Sequence, residues 1–356
     1  MSEIKVNSIK GVSASTAALT INNTDGTCTA NLSNRQNRNL IINGAMQVAQ
    51  RGTSSTTSGY NSVDRFQVNY ANTDEAPTQA QVDVASGTTP YTLGFRKALK
   101  ITNGNQTSGA GTSDYIRTIY KIEAQDVANS GWNYTSASSY ITLSFWVKAS
   151  VAQTYYVALR SYDGTSKGYC FSMALSADTW TKVTHSIPGH ADLSFDNNVD
   201  QGMYIQWFQF WGTNNTGTVT LNQWNNYSAS TLTPDQTATW YTTNDATFEL
   251  TGVQFEVGSV ATDFEHRSFG QELALCQRYY QVGSSVGCGY GSANGYARGG
   301  YIYAVAMRAA PTLTLTNSGS GSIIASDTSN NGFYVTYGSL GGSSAGIFSY
   351  TAASEL

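Results

Sequence analysis

The chain has 356 residues, 40% of them hydrophobic and only 12% charged, with a net charge of −4. An average soluble domain carries about 25% charge; here Ser, Thr, Asn and Gln fill the difference, at about 36% of the residues. That balance excludes the clustered Lys and Arg of a nucleic-acid surface and the high net charge of a disordered chain, while the length suffices for more than one buried core.

In chain order, Glu3–Ile9 and Ala18–Ile21 have strand character with no matching partner nearby, and the stretch after them is polar. A strand that cannot bury its face alone borrows another chain's, so residues 1–38 read as an extended attachment and oligomerisation segment. From residue 39 strand follows strand: Arg65–Asn69, Phe95–Ile101, Tyr115–Ile122, Ile141–Lys148, Tyr155–Arg160, Thr181–Ile187, Met203–Phe210, Thr218–Leu221 and Thr247–Phe255. Ile141–Lys148 alternates strictly, with Ile141, Leu143, Phe145 and Val147 on one face and Thr142, Ser144, Trp146 and Lys148 on the other, the period of a half-buried strand. Clusters of Asn, Asp, Gly and Ser supply the turns. About nine or ten strands over 39–268 predict one two-sheet sandwich.

Ser268-Phe-Gly-Gln271 is a capping box, in which the Ser hydroxyl and the Gln side chain satisfy each other's orphan amides. A short helix follows, and Tyr279–Val282 already favours strand. Strands resume at Tyr301–Met307, Pro311–Thr316, Gly332–Tyr337 and Ile347–Tyr350. Residues 269–356 therefore read as a capped helix and a small C-terminal β-domain. The expected fold class is all-β: a β-sandwich, a small second β-domain and an extended N-terminal segment. No repeat of 20–50 residues points to a solenoid.

No run approaches the ~18 apolar residues of a membrane span, so no membrane insertion is expected, and the N-terminus lacks the pattern of a signal peptide. Cys28, Cys170, Cys276 and Cys288 are dispersed, with no CxxC or Cys/His cluster to hold zinc. Four free buried thiols are expected, with a Cys276–Cys288 pair as the alternative.

Cleavage of a polysaccharide needs two carboxylates ~5–9.5 Å apart. The candidates are Glu249, Glu256 and Glu265, but Glu249 and Glu256 are seven apart and would face opposite sides of one strand. Asp192, Asp196 and Asp200 fall in a loop-like run and read as solvated turn residues or a weak cation site. Because two-sheet sandwiches often carry a cation on loop oxygens, structural calcium is kept open with no ligands assigned; no other cofactor is expected. His185 and His190 flank a turn without a third ligand, and His185 is expected to point outward from its strand. Neither a nucleophile elbow nor a phosphate loop is present. No enzyme is expected.

Aromatic residues are the better lead. Trp132 and Tyr134, Trp224 and Tyr227, and Trp240 and Tyr241 lie in polar loops. Rings that stack on sugar C–H faces beside amides that bond hydroxyls suit an uncharged glycan, so these six are the candidate binding residues. Core packing is the competing reading for them, and the expected one for Trp146, Trp207 and Trp211.

Several stretches resemble bacteriophage tail-fibre and receptor-binding proteins of marine and cyanobacterial phage type. Met1–Ile9 is similar to their virion-proximal ends. Arg38–Met46, Gln50–Thr53, Tyr60 and Asp64–Phe66 look like the opening of their jelly-roll domain, and Leu250–Gly258 with Ala261–Arg267 like its close. Glu272–Gln281, Met307–Thr312 and Ala353–Leu356 look like their C-terminal domain. The middle, about 70–245, carries no such landmark. The resemblance implies a virion protein with a jelly-roll similar to carbohydrate-binding modules, trimeric, joined to tail or baseplate proteins through its N-terminal segment, adsorbing to host-surface polysaccharide without cleaving it, made in the host cytoplasm and released by lysis. Two rivals stand beside it: a decoration, adaptor or baseplate protein, and a depolymerase. Asp64–Arg65 is expected to form an ion pair, and Glu265 with Arg267 a structural clasp.

Overall fold

The computed structural model describes residues 6–10, 12, 19–21, 28–30, 37–290, 295–319, 321–340 and 345–356. The chain forms β1 Ser8–Ile9, β2 Leu19–Ile21, β3 Cys28–Ala30, β4 Ser54–Ser55, β5 Phe66–Ala71, β6 Thr78–Asp83, α1 Thr89–Thr92, β7 Lys97–Thr102, β8 Tyr115–Glu123, α2 Ala124–Ala128, β9 Tyr140–Ala149, β10 Gln153–Ser161, β11 Lys167–Leu175, β12 Thr181–Pro188, β13 Gln201–Trp211, β14 Trp224–Asn226, α3 Thr239–Thr242 and β15 Thr247–Val257. After these come α4 Phe269–Gln277, β16 Tyr280–Tyr290, β17 Gly295–Ile302, β18 Thr312–Asn317, β19 Ser322–Thr328, β20 Gly332–Leu340 and β21 Ala345–Ala353.

Two six-stranded antiparallel sheets face each other. The front sheet runs β14-β11-β10-β13-β8-β5 and the back sheet β12-β9-β15-β7-β6-β4. The chain passes repeatedly from one sheet to the other, which is the wrapping of a jelly roll. Alternation decides what fills the space between them: Ile141, Leu143, Phe145 and Val147 of β9 are sealed against Tyr155, Val157 and Leu159 of β10 and Ile205 and Trp207 of β13. Each such side chain contributes roughly 1.5–3 kcal/mol by leaving water. The indoles divide: Trp207 is core, whereas Trp146 and Trp211 lie on the outer faces.

One strand departs from simple alternation. In β15 the register with β9 shifts between Thr251 and Gln254, where Gly252 takes φ +62°. The bulge moves the second half of the strand by one residue, so Glu249 pairs with Lys148 and Glu256 with Thr142, both on the outer face. The expectation that these two glutamates face opposite sides is therefore corrected.

Other expectations shift as well. Thr218–Leu221 is loop, because Val219 and Leu221 lay their side chains on the front sheet's outer face and leave the backbone outside the ladder. Strands β6, β11, β14 and β19 were not signalled by strict alternation. In the N-terminal segment β1 and β3 both pair with β2, so partners do exist nearby. The helix starts as expected, with Ser268 Oγ accepting from the Gln271 amide and the Gln271 side chain accepting from the Ser268 amide. After it, β16-β21-β18 and β17-β20-β19 close on a small core of Phe333, Val335, Tyr337 and Phe348. Cys170 and Cys276 are free and buried; the side chains of Cys28 and Cys288 lie outside the described residues.

Asp64 and Arg65 do not pair. Asp64 accepts from the Gln50 amide and side chain at 2.9 and 2.6 Å, while Arg65 reaches Glu355. Glu265 is a clasp, accepting the backbone N–H groups of Asn37, Arg38 and Asn39, with Arg267 3.6 Å away. Among the described residues no helix is long and apolar enough to cross a membrane.

Candidate functional site

The sandwich has two outer faces, and the back one is largely roofed. Its Thr142, Ser144, Gln254 and Glu256 are buried. Residues 258–265 lie over them: Thr262 donates to Glu256 through N–H and Oγ1 at 2.8 and 2.6 Å, and the Glu265 amide donates to Gln254. The front sheet's outer face is half-exposed at Gln67, Asn69, Arg117 and Arg160, while the β13 residues between them, Tyr204, Gln206, Phe208 and Trp211, are buried.

Strand register places the side chains of that face. Arg117 of β8 lies opposite Phe208 of β13, Arg160 of β10 opposite Tyr204, and Asn69 of β5 opposite Arg117. The Arg160 guanidinium sits 3.5 Å from the Tyr227 ring centre and 4.2 Å from that of Tyr162. It also donates to Ser166 Oγ at 3.0 Å and to the hydroxyls of Tyr162 and Tyr204 at 3.2 and 3.4 Å. Arg117 lies 4.6 Å from the Trp211 ring and 5.3 Å from Tyr115, and donates to Gln206 Oε1 at 2.5 Å. Cation–π contacts hold both guanidinium planes in place. Gln206, Arg160, Asn225 and Tyr227 line a small cavity of about 30 Å³. The loop after β13 walls one side, packing Val219, Leu221 and Leu232 on Ala158, Cys170, Phe208 and Trp211.

Polar atoms on this face are left over. Gln67 Oε1, Asn69 Oδ1, Arg117 Nε, Gln206 Nε2 and Trp211 Nε1 are shielded from water and have no hydrogen-bond partner. A buried unpaired group costs about 1–3 kcal/mol, so these five are a cost of packing on this sheet face. Burial pulls Arg117 down from the usual arginine value but leaves it cationic at neutral pH. Burial, with Tyr204 beside it, pushes Tyr162 up to about 12, and burial also raises Tyr227. The hydroxyls stay neutral and the arginines charged.

No family model matches the sequence, and no curated protein does. Among solved structures the chain is similar to the enzymatically active domain of tailspike protein 4 of bacteriophage CBA120, at 9% identity and TM-score 0.33, over 62% of this chain and 21% of that one. It is also similar to a putative sugar binding protein from Bacteroides thetaiotaomicron, at 12% identity and TM-score 0.33 over 62% of this chain and all of that one. The N-terminal cellulose-binding domain from Cellulomonas fimi β-1,4-glucanase C aligns at 13% identity and TM-score 0.29, over 60% and 99%. The chain spans about a fifth of the tailspike's length, and likeness this loose says nothing of what the chain binds.

Of the six residues expected from the sequence, Tyr227 lies on the front sheet's outer face. Trp132 and Trp224 are buried and spend their indole N–H groups on the carbonyls of Ser139 and Pro188. Tyr134 is half-buried, edge-on to Phe195. Trp240 and Tyr241 are 0% and 1% exposed, the first bonding the Thr247 carbonyl and the second stacked on Phe210 at 4.3 Å. Trp132, Trp224, Trp240 and Tyr241 thus fill core space and offer no ring face to a ligand. Trp224 lies in β14 and Trp240 and Tyr241 in α3, not in the loops expected for them, while Trp132 stays in a loop; all four rings are buried.

The other chemistry is dispersed. Glu249 bonds Lys148 at 3.0 Å, and Glu256 bonds Thr262 and Arg38; their β9 partners are six residues apart, ~20 Å along a strand. His185 points inward, stacked 4.0 Å from Phe171, because Val183, His185 and Ile187 pair with the inward residues of β9. Asp192 bonds Lys167 at 2.6 Å. Among the described residues no three His, Cys, Asp or Glu side chains gather as a metal would need.

Sequence reasoning missed Arg117, Arg160, Tyr162, Tyr204 and Gln206. A usable signal was present: in so uncharged a chain, Arg117 and Arg160 sit at outward strand positions, each two residues from a tyrosine, Tyr115 and Tyr162.

Proposed function

We propose that the protein is a phage tail-fibre component that adsorbs to host-surface polysaccharide through the front sheet, without cleaving it. The observation that supports this reading best is the half-exposed rim of the front sheet, where Tyr162, Tyr227 and Arg160 stand together beside Asn225. Rings can stack on sugar faces while amides and guanidinium groups bond hydroxyls. The motif resemblance supports the virion placement, the trimer and attachment through the N-terminal segment. A trimer would multiply weak single-site binding through effective concentration. The separation of Glu249 from Glu256 supports binding without hydrolysis.

The test is an array of bacterial envelope polysaccharides probed with the full chain, beside a Tyr227→Ala, Arg160→Ala variant. Binding that the variant loses, with no new reducing ends released from the bound polysaccharide, is the expected result. Release of new ends would replace this reading with a depolymerase.

A second reading has an observation of its own. Tyr296, Ile302, Ile324 and Tyr334 stand exposed on the sheet β17-β20-β19, a patch suited to another virion protein. Tight binding to a tail component, lost with Tyr334→Ser and Ile324→Ser, and no glycan binding at all, would favour an adaptor.

A further inference from the structure

Among the described residues most arginines are paired with a carboxylate. Arg38, Arg51, Arg65, Arg267, Arg278 and Arg308 each lie within 4.0 Å of a carboxylate. Arg96 and Arg298 form no such pair among the described residues, but both are exposed to water. Arg117 and Arg160 stand apart: they are partly buried on the front face, and among the described residues no carboxylate comes within ion-pair distance of either. The nearest glutamate on their strands, Glu123 at the far end of β8, is bonded to Arg278 and Tyr279. Withdrawing two guanidinium groups from water without a counter-charge is unfavourable, and cation–π contacts offset only part of that cost. Net charge does not explain them, since the chain as a whole is negative.

We infer that the front face takes an acidic polysaccharide, whose ring-borne anionic substituent is bound by Arg160 beside Gln206, Asn225 and Tyr227. This rests on the glycan-binding reading above and narrows its substrate class. Arg160 uses Nε and Nη1 on Ser166 and the two tyrosines, which leaves Nη2 for the ligand. Arg117 Nε and Gln206 Nε2 are shielded from solvent, so the donor offered to a ligand here is Arg160 Nη2. The small cavity beside Arg160, lined also by Gln206, Asn225 and Tyr227, admits a substituent and not a sugar ring. The ring would lie across Tyr227 and Tyr162. A uronate carboxylate matches the planar guanidinium fork; a sulfate ester has the same charge and is separated from it in the test.

The experiment uses the full chain on the same array, with each bound acidic polysaccharide also presented after carboxyl reduction or after desulfation, which remove the charge and keep the backbone. Arg160→Gln, Arg160→Lys and Arg117→Gln are compared with the parent, with melting curves to identify any variant that fails to fold. The expected result is binding that weakens at least about tenfold on carboxyl reduction and by a similar factor in Arg160→Gln, that falls with added salt, and that Arg160→Lys restores in part because it keeps the charge and loses the fork. Loss on desulfation alone would replace the carboxylate by a sulfate and overturn the uronate assignment. Equal binding of the uncharged derivative, unchanged in folded Arg160→Gln, would overturn the inference and leave the glycan reading standing. No binding to any polysaccharide would overturn both.

Discussion

The guanidinium of Arg65 bonds the carboxylate of Glu355 across 290 positions of sequence. Arg65 is 1% exposed, lies 3.4 Å from the Tyr279 ring centre, and donates to the Lys121 carbonyl at 2.8 Å. Glu355 is held a second time by Arg51 at 3.1 Å, whose own guanidinium lies 3.6 Å from the Tyr280 ring centre. A buried charge network therefore joins the end of the C-terminal sandwich to the entry of β5 and the far end of β8. Those two strands carry Asn69 and Arg117, so the network also braces the floor of the proposed binding face.

Replacing Glu355 by Gln leaves a buried arginine with a neutral acceptor. Breaking a buried pair by altering one partner costs about 3–5 kcal/mol, and Gln retains one hydrogen bond, so the lower end applies. Chemical denaturation should show a loss of about 3 kcal/mol, while Arg65→Met with Glu355→Leu should recover much of it. A variant as stable as the parent would remove the network from the list of what holds the two sandwiches together.

Asp126 carries a pH dependence of definite sign. Burial first, and then the neighbouring Glu123, raise its carboxyl to about 6, with Arg278 pulling the other way. A group with a raised folded value binds more protons folded than unfolded between about pH 4 and 6, so its contribution to stability falls as pH rises through that window. Asp126→Asn should therefore stabilise at pH 7, on the order of 1–2 kcal/mol after solvent screening, and leave stability at pH 4 unchanged. Burial alone would raise Glu123, but hydrogen bonds from Arg278 and Tyr279 outweigh it and hold Glu123 low. Its stabilising share is present above its unfolded value and lost on acidification. Melting curves of Asp126→Asn and Glu123→Gln across pH 4–8 should diverge in opposite directions.

The two-sheet architecture was legible because β9 and β10 obey period two over eight or more residues, and the helix start because Ser268 and Gln271 form a local motif. What escaped was set by tertiary contact. β14 is three residues long and exists because Tyr169 gives Trp224 a partner. The β15 bulge depends on Phe95 occupying the space beside Gly252. Loop tryptophans looked available because their neighbours are polar, whereas the orientation of an indole is set by the cavity it fills. The site arginines were legible in kind, as rare charges in alternating strands. Their lack of carboxylates becomes visible only once six strands are laid side by side.

Gly252 tests the bulge directly. Its φ is +62°, and a Cβ there would meet the Phe95 ring at 2.7 Å. Gly252→Ala must both strain the backbone and displace a packed ring, a loss of about 2–3 kcal/mol. Gly252→Ala with Phe95→Leu should recover part of that loss, because only the steric term is relieved. If the single variant melts with the parent, the register shift at Thr251/Gln254 is wrong, and Glu256 returns to the inner face.

Glu265 separates local from global stability. Its two oxygens accept the backbone amides of Asn37, Arg38 and Asn39 at 2.6, 2.9 and 2.8 Å, at the point where the chain enters the sandwich. Arg267 completes the clasp from the other side, donating to the Asn39 and Ile41 carbonyls at 2.6 and 3.2 Å. Glu265→Ala strands three donors, and charged hydrogen bonds of this kind are worth about 1.5–3 kcal/mol each before water replaces them. Because Asn37 and Arg38 stand near solvent, water takes over part of the role, and the expected loss is about 2–3 kcal/mol. It should be concentrated here: hydrogen exchange at 37–43 should accelerate at least tenfold, while amides of β10 and β13 keep their protection. Uniform acceleration across the sandwich would mean that this entry segment and the two sheets unfold as one unit.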